Sequence, residues 1–208
     1  MQKQLSYPEI RKAYDEVAMF WDFFSSPLEL LIGFGKLRKN FIARAYGKVL
    51  ELAVGTGRNF RYYNEDCEIT TIDLSPEMLK RAIEKAKKLD RNIKTSVGSA
   101  ESLDFADDSF DCVVETLALC TYTDPIKALS EMQRVCKKDG LILLLEHGIS
   151  ENSLVRKWQN WREAPHYRRI GCHLTRNPFE IVESAGLEIE ESKKYGIGKS
   201  IYFIVAKN

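Results

Sequence analysis

The sequence predicts an α/β protein built on one mostly parallel sheet, and three features predict it. Short apolar runs at about 48–53, 68–73, 93–97, 110–115, 140–146, 187–193 and 200–206 alternate with stretches of helical periodicity, the pattern of parallel sheet units joined by helices. Three helix starts are announced by a capping residue followed by proline, at Ser75-Pro76, Asp124-Pro125 and Asn177-Pro178, with Thr175 an alternative cap for the last. A glycine-rich turn, Gly55-Thr56-Gly57, closes the first run. The last two runs are separated only by Tyr195-Gly196-Ile197-Gly198. That is too short for a crossover, so they form an antiparallel hairpin.

The turn and the strand after it say what is bound. Glu51-Leu52-Ala53-Val54-Gly55-Thr56-Gly57 continues Val49-Leu50, and Asp73 closes the next run 22 residues after Glu51. A Cβ at either glycine would block a ligand lying on bare backbone, or forbid a positive φ. A carboxylate at the end of the second strand is where nucleotide-binding α/β folds hold two ribose hydroxyls. Aspartate also ends strands by starting turns, but the spacing from the glycines favours the ribose role. The ligand therefore contains a nucleoside. A dinucleotide site would carry a third glycine, and the run Gly55-Thr56-Gly57-Arg58-Asn59-Phe60 has Phe60 there. Glu51 is misplaced beside a pyrophosphate but suits a ligand bearing an ammonium and a sulfonium.

On these residues the chain resembles the class I S-adenosylmethionine-dependent methyltransferases. Their first motif is an acidic residue followed by x-Gly-x-Gly-x-Gly, and Ala53 replaces the first glycine here. Ile69 to Leu79 is similar to the family's second strand and next helix, which implies Asp73 as ribose ligand, Met78 near the adenine and Leu74 in the cofactor site with them. Gly98-Ser99-Ala100-Glu101-Ser102-Leu103 resembles the loop at the adenine edge, implying Ser99, Ala100 and Glu101 there. Phe110 to Glu115 resembles the fourth strand, so Glu115 and Thr116 fall near the methionine part, or else cap the following helix. The resemblance implies a Rossmann-like, seven-stranded, mostly parallel sheet with helices on both faces and an antiparallel last strand. Ala13-Tyr14-Asp15, Cys120 to Pro125, Glu146-His147-Gly148 and Gly171 to Thr175 are similar to a narrower group. It holds bacterial phospholipid N-methyltransferases, ubiquinone/menaquinone C-methyltransferases and membrane-associated alkyl-thiol methyltransferases, which implies an apolar or amphipathic acceptor.

Length and composition agree. The 208 residues suit one domain, 1–208, with an N-terminal helical segment (1–47), a cofactor-binding core (48–147) and a substrate-side insertion with the final strands (148–208). Lys and Arg number 31 against 30 Asp and Glu, a formal net charge of +1, so no global field recruits nucleic acid. Five cysteines, Cys67, Cys112, Cys120, Cys136 and Cys172, form no Cys-x-x-Cys pair and show no metal-ligand spacing. A reducing cytoplasm and no metal are expected. The start, Gln2-Lys3-Gln4, has no apolar core of a secretory signal.

Two segments outside the core are expected to choose the acceptor. Residues 1–47 read as two helices around Ser25-Ser26-Pro27, with Tyr14, Met19, Phe20, Trp21, Phe23, Phe24, Leu28, Leu30, Leu31, Ile32 and Phe34. Asp22, Pro27 and Glu29 interrupt them well short of the ~20 apolar residues of a span. They pack on the sheet edge or form a lid, which could also meet a membrane surface. Residues 151–174 carry Arg156, Lys157, Trp158, Trp161, Arg162, His166, Tyr167, Arg168, Arg169 and His173. Either this is a solvated helix with its tryptophans packed inward, or it is a docking surface for an anionic headgroup or membrane interface.

Methyl transfer needs little acid–base machinery, because a sulfonium already makes its methyl carbon electrophilic. Where the acceptor must lose a proton, Tyr14, Tyr122, His147 and His166 are candidate bases. The alternatives are that Tyr14 covers the cofactor and that His147 is structural. Two rival functions remain: a silent S-adenosylmethionine-binding protein keeping Glu51, Gly55, Gly57 and Asp73, and a nicotinamide-dependent oxidoreductase, which Phe60 disfavours.

Overall fold

A computed structural model of the chain describes residues 4–22 and 33–208. Its elements are α1 (Tyr7–Val17), α2 (Phe34–Ile42), β1 (Lys48–Leu52), β2 (Glu68–Asp73), α3 (Pro76–Lys88), β3 (Lys94–Val97), β4 (Phe110–Thr116), α4 (Pro125–Val135), β5 (Cys136–His147), α5 (Ser153–Ile170), α6 (Pro178–Ser184), β6 (Glu188–Tyr195) and β7 (Ile201–Lys207). The strands form one sheet in the order β3-β2-β1-β4-β5-β7-β6. The first five run parallel, and β7 inserts antiparallel between β5 and β6. The Rossmann-like architecture and the final hairpin are as the sequence predicts.

Each proline-marked helix starts where its cap stands. Ser75 Oγ accepts from the Met78 amide, Asp124 from Lys127 and Asn177 from Phe179, so the alternative cap at Thr175 is not used. β5 begins earlier than the expected 140. Phe110 pairs with Cys136, and after a bulge Cys112 pairs with Leu141, which takes the turn-like Lys137-Lys138-Asp139-Gly140 into the strand. Of the helical N-terminal segment, α1 and α2 are described. The Ser25-Ser26-Pro27 junction and Phe23, Phe24, Leu28, Leu30, Leu31 and Ile32 lie outside the described residues.

Apolar side chains cover both faces of the sheet. Leu50, Leu52, Val113, Ile142 and Ile204 pack with α4 and α6 residues such as Leu129 and Val182. Val49, Val114, Leu143 and Val205 pack with Phe41 and Ile42 of α2 and Ala82 of α3. Full burial of each such Val, Leu or Ile contributes about 1.5–3 kcal/mol. The consequence for function is positional. The chain enters the sheet at β1, works outward to β3, then returns to β4 on the other side of β1, leaving a crevice beyond the carboxyl ends of β1 and β4. Such switch points are where open α/β sheets bind ligands.

Candidate active site

The crevice holds a cavity of about 470 Å³, within the ~300–1,000 Å³ range of small-molecule sites. Gly55 with Ala53, Val54 and Thr56 comes from the turn after β1, and Asp73, Leu74 and Ser75 from the end of β2. Thr116, Leu117 and Ala118 follow β4, and His147 ends β5. Two of these residues hold uncommon backbone conformations: Ala53 has φ 47° and Leu117 has φ 59°. Ala53 stands where the related motif has glycine, and its strained backbone gives the physical reason for that glycine.

Asp73 ties the two loops together. One carboxylate oxygen accepts from the Gly55 amide at 2.7 Å and the other from the Ser75 amide at 2.8 Å. A carboxylate offers about four acceptor positions, so these two bonds leave acceptor capacity at a group that also lines the cavity. Burial pushes the Asp73 carboxyl up to about 6, with the Ser75 and Gly55 amides pulling the other way. Beside it, a Cβ built on Gly55, at φ +55°, meets nothing within 4 Å among the described residues beyond its chain neighbours. The bare backbone faces open cavity there.

Of the residues singled out from sequence, Tyr14, Ala53, Gly55, Asp73, Leu74, Met78, Ser99, Ala100, Thr116, Tyr122, His147 and His166 share this cavity. Four others do not line it, and each has a different occupation. Gly57, at φ +73°, leaves room for the Phe60 ring, which stands where its Cβ would be. Glu101 accepts from the amides of Thr123 and Asp124 and from Thr123 Oγ1, which fixes the loop carrying Tyr122. Glu115 is buried against Glu146, and both accept from the Ala118 amide. Burial raises both acids, and the repulsion between them raises Glu146 further.

Glu51 lies one layer behind the cavity wall, 1% exposed. Its carboxylate accepts from Asn59 Nδ2 at 2.7 Å and from the Tyr63 hydroxyl at 2.9 Å. Asn59 lines the cavity, donates also to Thr116 Oγ1, and accepts from Arg38. Glu51 thus acts on the cavity through Asn59. Burial raises the Glu51 carboxyl to about 7, against the pull of Tyr63 and Asn59. A group raised in the folded state stabilises the fold below its ordinary value of 4.5 and loses that contribution as pH rises through about 7. Glu51→Gln will therefore raise the unfolding free energy of the ligand-free protein at pH 8 by about 2–3 kcal/mol and change it little at pH 4.5. Urea unfolding at the two pH values checks this, and an equal effect at both would refute it.

The N-terminal segment reaches the same cavity. Tyr7, Ile10, Arg11, Tyr14, Trp21, Phe34 and Arg38 line it, and Tyr14 lies 5.7 Å from Trp21 between ring centroids. Asp22 fastens this segment to the glycine turn, accepting from Thr56 Oγ1 and from Lys85 Nζ, each at 2.7 Å. Burial, then the nearby Cys120 and Cys172, raises the Tyr14 phenol well above its ordinary value. Burial, then Glu115 and Glu146, does the same for Tyr122. Both stay protonated at neutral pH. The buried Tyr122 hydroxyl finds no hydrogen-bond partner among the described residues, an unmet donor at the cavity wall. Sequence reasoning missed Arg38 and Asn59. It also missed that Cys120 and Cys172 join His147, because their meeting depends on three separate elements.

Residues 50–144 match a family model described as a methyltransferase domain. Those residues are a methyltransferase domain. The mitochondrial methyltransferase OMS1 of Saccharomyces cerevisiae is 32% identical over 93% of this chain and 45% of its own length. The thiol S-methyltransferase TMT1B of Rattus norvegicus is 38% identical over 66% of this chain and 58% of its own. The chain thus spans about half the length of these curated relatives. Among solved structures, the YcgJ protein of Bacillus subtilis superposes with a TM-score of 0.62 at 26% identity, over 78% of this chain and 72% of that one. The methyltransferase domain supplies Gly55, Asp73 and Thr116 to the cavity, while Tyr14, His147, His166 and Cys172 come from flanking segments.

Proposed function

We propose that this chain transfers a methyl group from S-adenosylmethionine to an apolar or amphipathic acceptor, a thiol or a lipid-like small molecule, by in-line displacement. The observation that carries the reading is the join of Gly55 and Asp73. The Gly55 backbone, with open space where a side chain would stand, donates its amide to the Asp73 carboxylate, which has acceptor capacity to spare. Asp73 would hold the ribose hydroxyls, Met78, Ser99 and Ala100 the adenine, and Asn59 and Thr116, backed by Glu51, the amino-acid end. When bound, S-adenosylmethionine supplies an electrophilic methyl carbon on a sulfonium.

This chain's own residues then have one main task, to hold the acceptor in line. Orientation of that kind can lower a barrier by about 7–11 kcal/mol. Tyr14 and Tyr122, kept protonated, are hydrogen-bond donors rather than bases. His166, whose ring is held neutral by burial and then by the charge of His147, accepts a proton where the acceptor must lose one. Ile10, Trp21, Leu117 and Ile170, which also line the cavity, suit an apolar acceptor. The name of the rat relative makes a thiol the first acceptor to try. A thermal-shift screen against S-adenosylmethionine, its demethylated product and NAD, followed by labelled-methyl transfer to thiols, quinols and lipid amines, tests the reading. At a hundredfold over its dissociation constant the true ligand adds about 2.7 kcal/mol. Stabilisation by NAD alone would overturn the reading, and binding without transfer to any acceptor would leave a silent binder.

We further propose that α5 meets a membrane surface. Leu154, Trp158 and Trp161 are 74%, 55% and 71% exposed, and their spacing puts them on one helix face. The tryptophans face outward rather than into the protein, and Lys157, Arg168 and Arg169 are exposed with them. No helix among the described residues is long and apolar enough to cross a membrane; the contact proposed is a peripheral one. Each basic residue near an anionic surface contributes about 1 kcal/mol. Sedimentation with anionic vesicles will pull down the protein, and Trp158→Ala with Trp161→Ala will release it. Equal recovery with anionic and neutral vesicles would refute an electrostatic contribution.

A further inference from the structure

Three soft or borderline metal ligands meet at one wall of the cavity. Cys120 lies in the loop after β4, His147 ends β5, and Cys172 follows α5. Cys120 Sγ is 3.3 Å from Cys172 Sγ, and Cys172 Sγ is 3.2 Å from His147 Nε2. The three donor atoms lie within 4.8 Å of one another. Both thiols are almost fully buried, at 2% and 5% exposed, yet all three residues line the cavity.

We infer that Cys120, His147 and Cys172 form a three-ligand site for a thiophilic divalent cation, Zn²⁺ by the donor set, with its fourth position facing the cavity. Two cysteines and one histidine plus an open position is a donor set that zinc takes in catalytic sites. Zn–S near 2.3 Å and Zn–N near 2.0–2.1 Å would set tetrahedral donors roughly 3.5–3.8 Å apart. The Cys120–Cys172 and Cys172–His147 pairs need to open by only about half an ångström, within reach of small side-chain rotations. Charge also balances: each thiol gives its proton to solvent, and the two thiolates neutralise the dication inside a buried wall. The sequence hid this site because its ligands stand 27 and 25 residues apart in the chain, with none of the short spacings that mark a zinc motif.

The site goes beyond the methyl-transfer reading and is measured without cofactor or acceptor. The full chain, reduced, stripped with chelator and dialysed, is titrated with Co²⁺. About one equivalent binds and produces a sulfur-to-cobalt charge-transfer absorption in the near ultraviolet, which Zn²⁺ abolishes by displacement. Cys120→Ser and Cys172→Ser each lower the affinity about a hundredfold or more and weaken the band, while Cys67→Ser, far from the cavity, leaves both unchanged. Because the unmodified protein alone gives the first result, a variant that fails to fold leaves the test intact. The inference is overturned if the reduced protein shows no charge-transfer band, or if the band survives both substitutions. It is equally overturned if Cys120 and Cys172 form a disulfide in air while the reduced protein takes up neither ion.

Discussion

Asp73→Ala is expected to weaken S-adenosylmethionine binding at least a hundredfold. Two hydroxyl-to-carboxylate hydrogen bonds are lost, at about 1.5–3 kcal/mol each, and every 1.4 kcal/mol is a factor of ten. The same substitution removes the bonds to the Gly55 and Ser75 amides, so a part of the loss comes from a loosened turn. Asp73→Asn separates the two contributions. Its carbonyl oxygen still accepts one amide, but it carries no charge and offers fewer acceptor positions, so calorimetry should place it between the native protein and Asp73→Ala. Protonation is a third way to remove the charge. With the carboxyl near 6 in the ligand-free protein, the ionised form that would accept from ribose under the proposed assignment is populated above that value. Affinity should therefore fall as pH drops from 7 to 5, and Asp73→Asn should flatten the fall. Unchanged affinity in Asp73→Ala would remove the ribose assignment.

Much of the fold was legible because each local signal agreed with the next. Proline behind Ser75, Asp124 and Asn177 marked helix starts, and all three side chains cap as expected. The four residues between the last two strands left only a hairpin. The site was legible where chemistry depends on backbone and on neighbours in sequence, as at Gly55 and Asp73. It was less so for the acids. Glu51, Glu101 and Glu115 carry the residue type that a cationic ligand calls for, but a carboxylate's occupation is decided by donors that only the fold brings near. Asn59, Tyr63, Thr123 and Ala118 claim them first. Cys120, His147 and Cys172 fail to announce themselves for the opposite reason, since nothing local distinguishes them from core thiols and a strand-end histidine.

Gly55→Val should abolish measurable cofactor binding while leaving the fold in place, which makes it the sharpest test of where the ligand lies. Two properties of this position point the same way. At φ +55° an L side chain is strained, by roughly 1–2 kcal/mol before β-branching adds to it. A native domain with about 5–15 kcal/mol of stability survives that. Among the described residues beyond its chain neighbours nothing lies within 4 Å of the new Cβ, so no clash with them adds to the cost, and the added methyls project into the cavity. The damage therefore falls on whatever the cavity holds. Gly57→Val makes the contrast, because its Cβ would strike the Phe60 ring and the loss there is of stability first. Circular dichroism and calorimetry on the pair should show Gly55→Val folded and unable to bind, and Gly57→Val with the larger drop in melting temperature. Tight S-adenosylmethionine binding by a folded Gly55→Val protein would place the nucleoside elsewhere in the crevice.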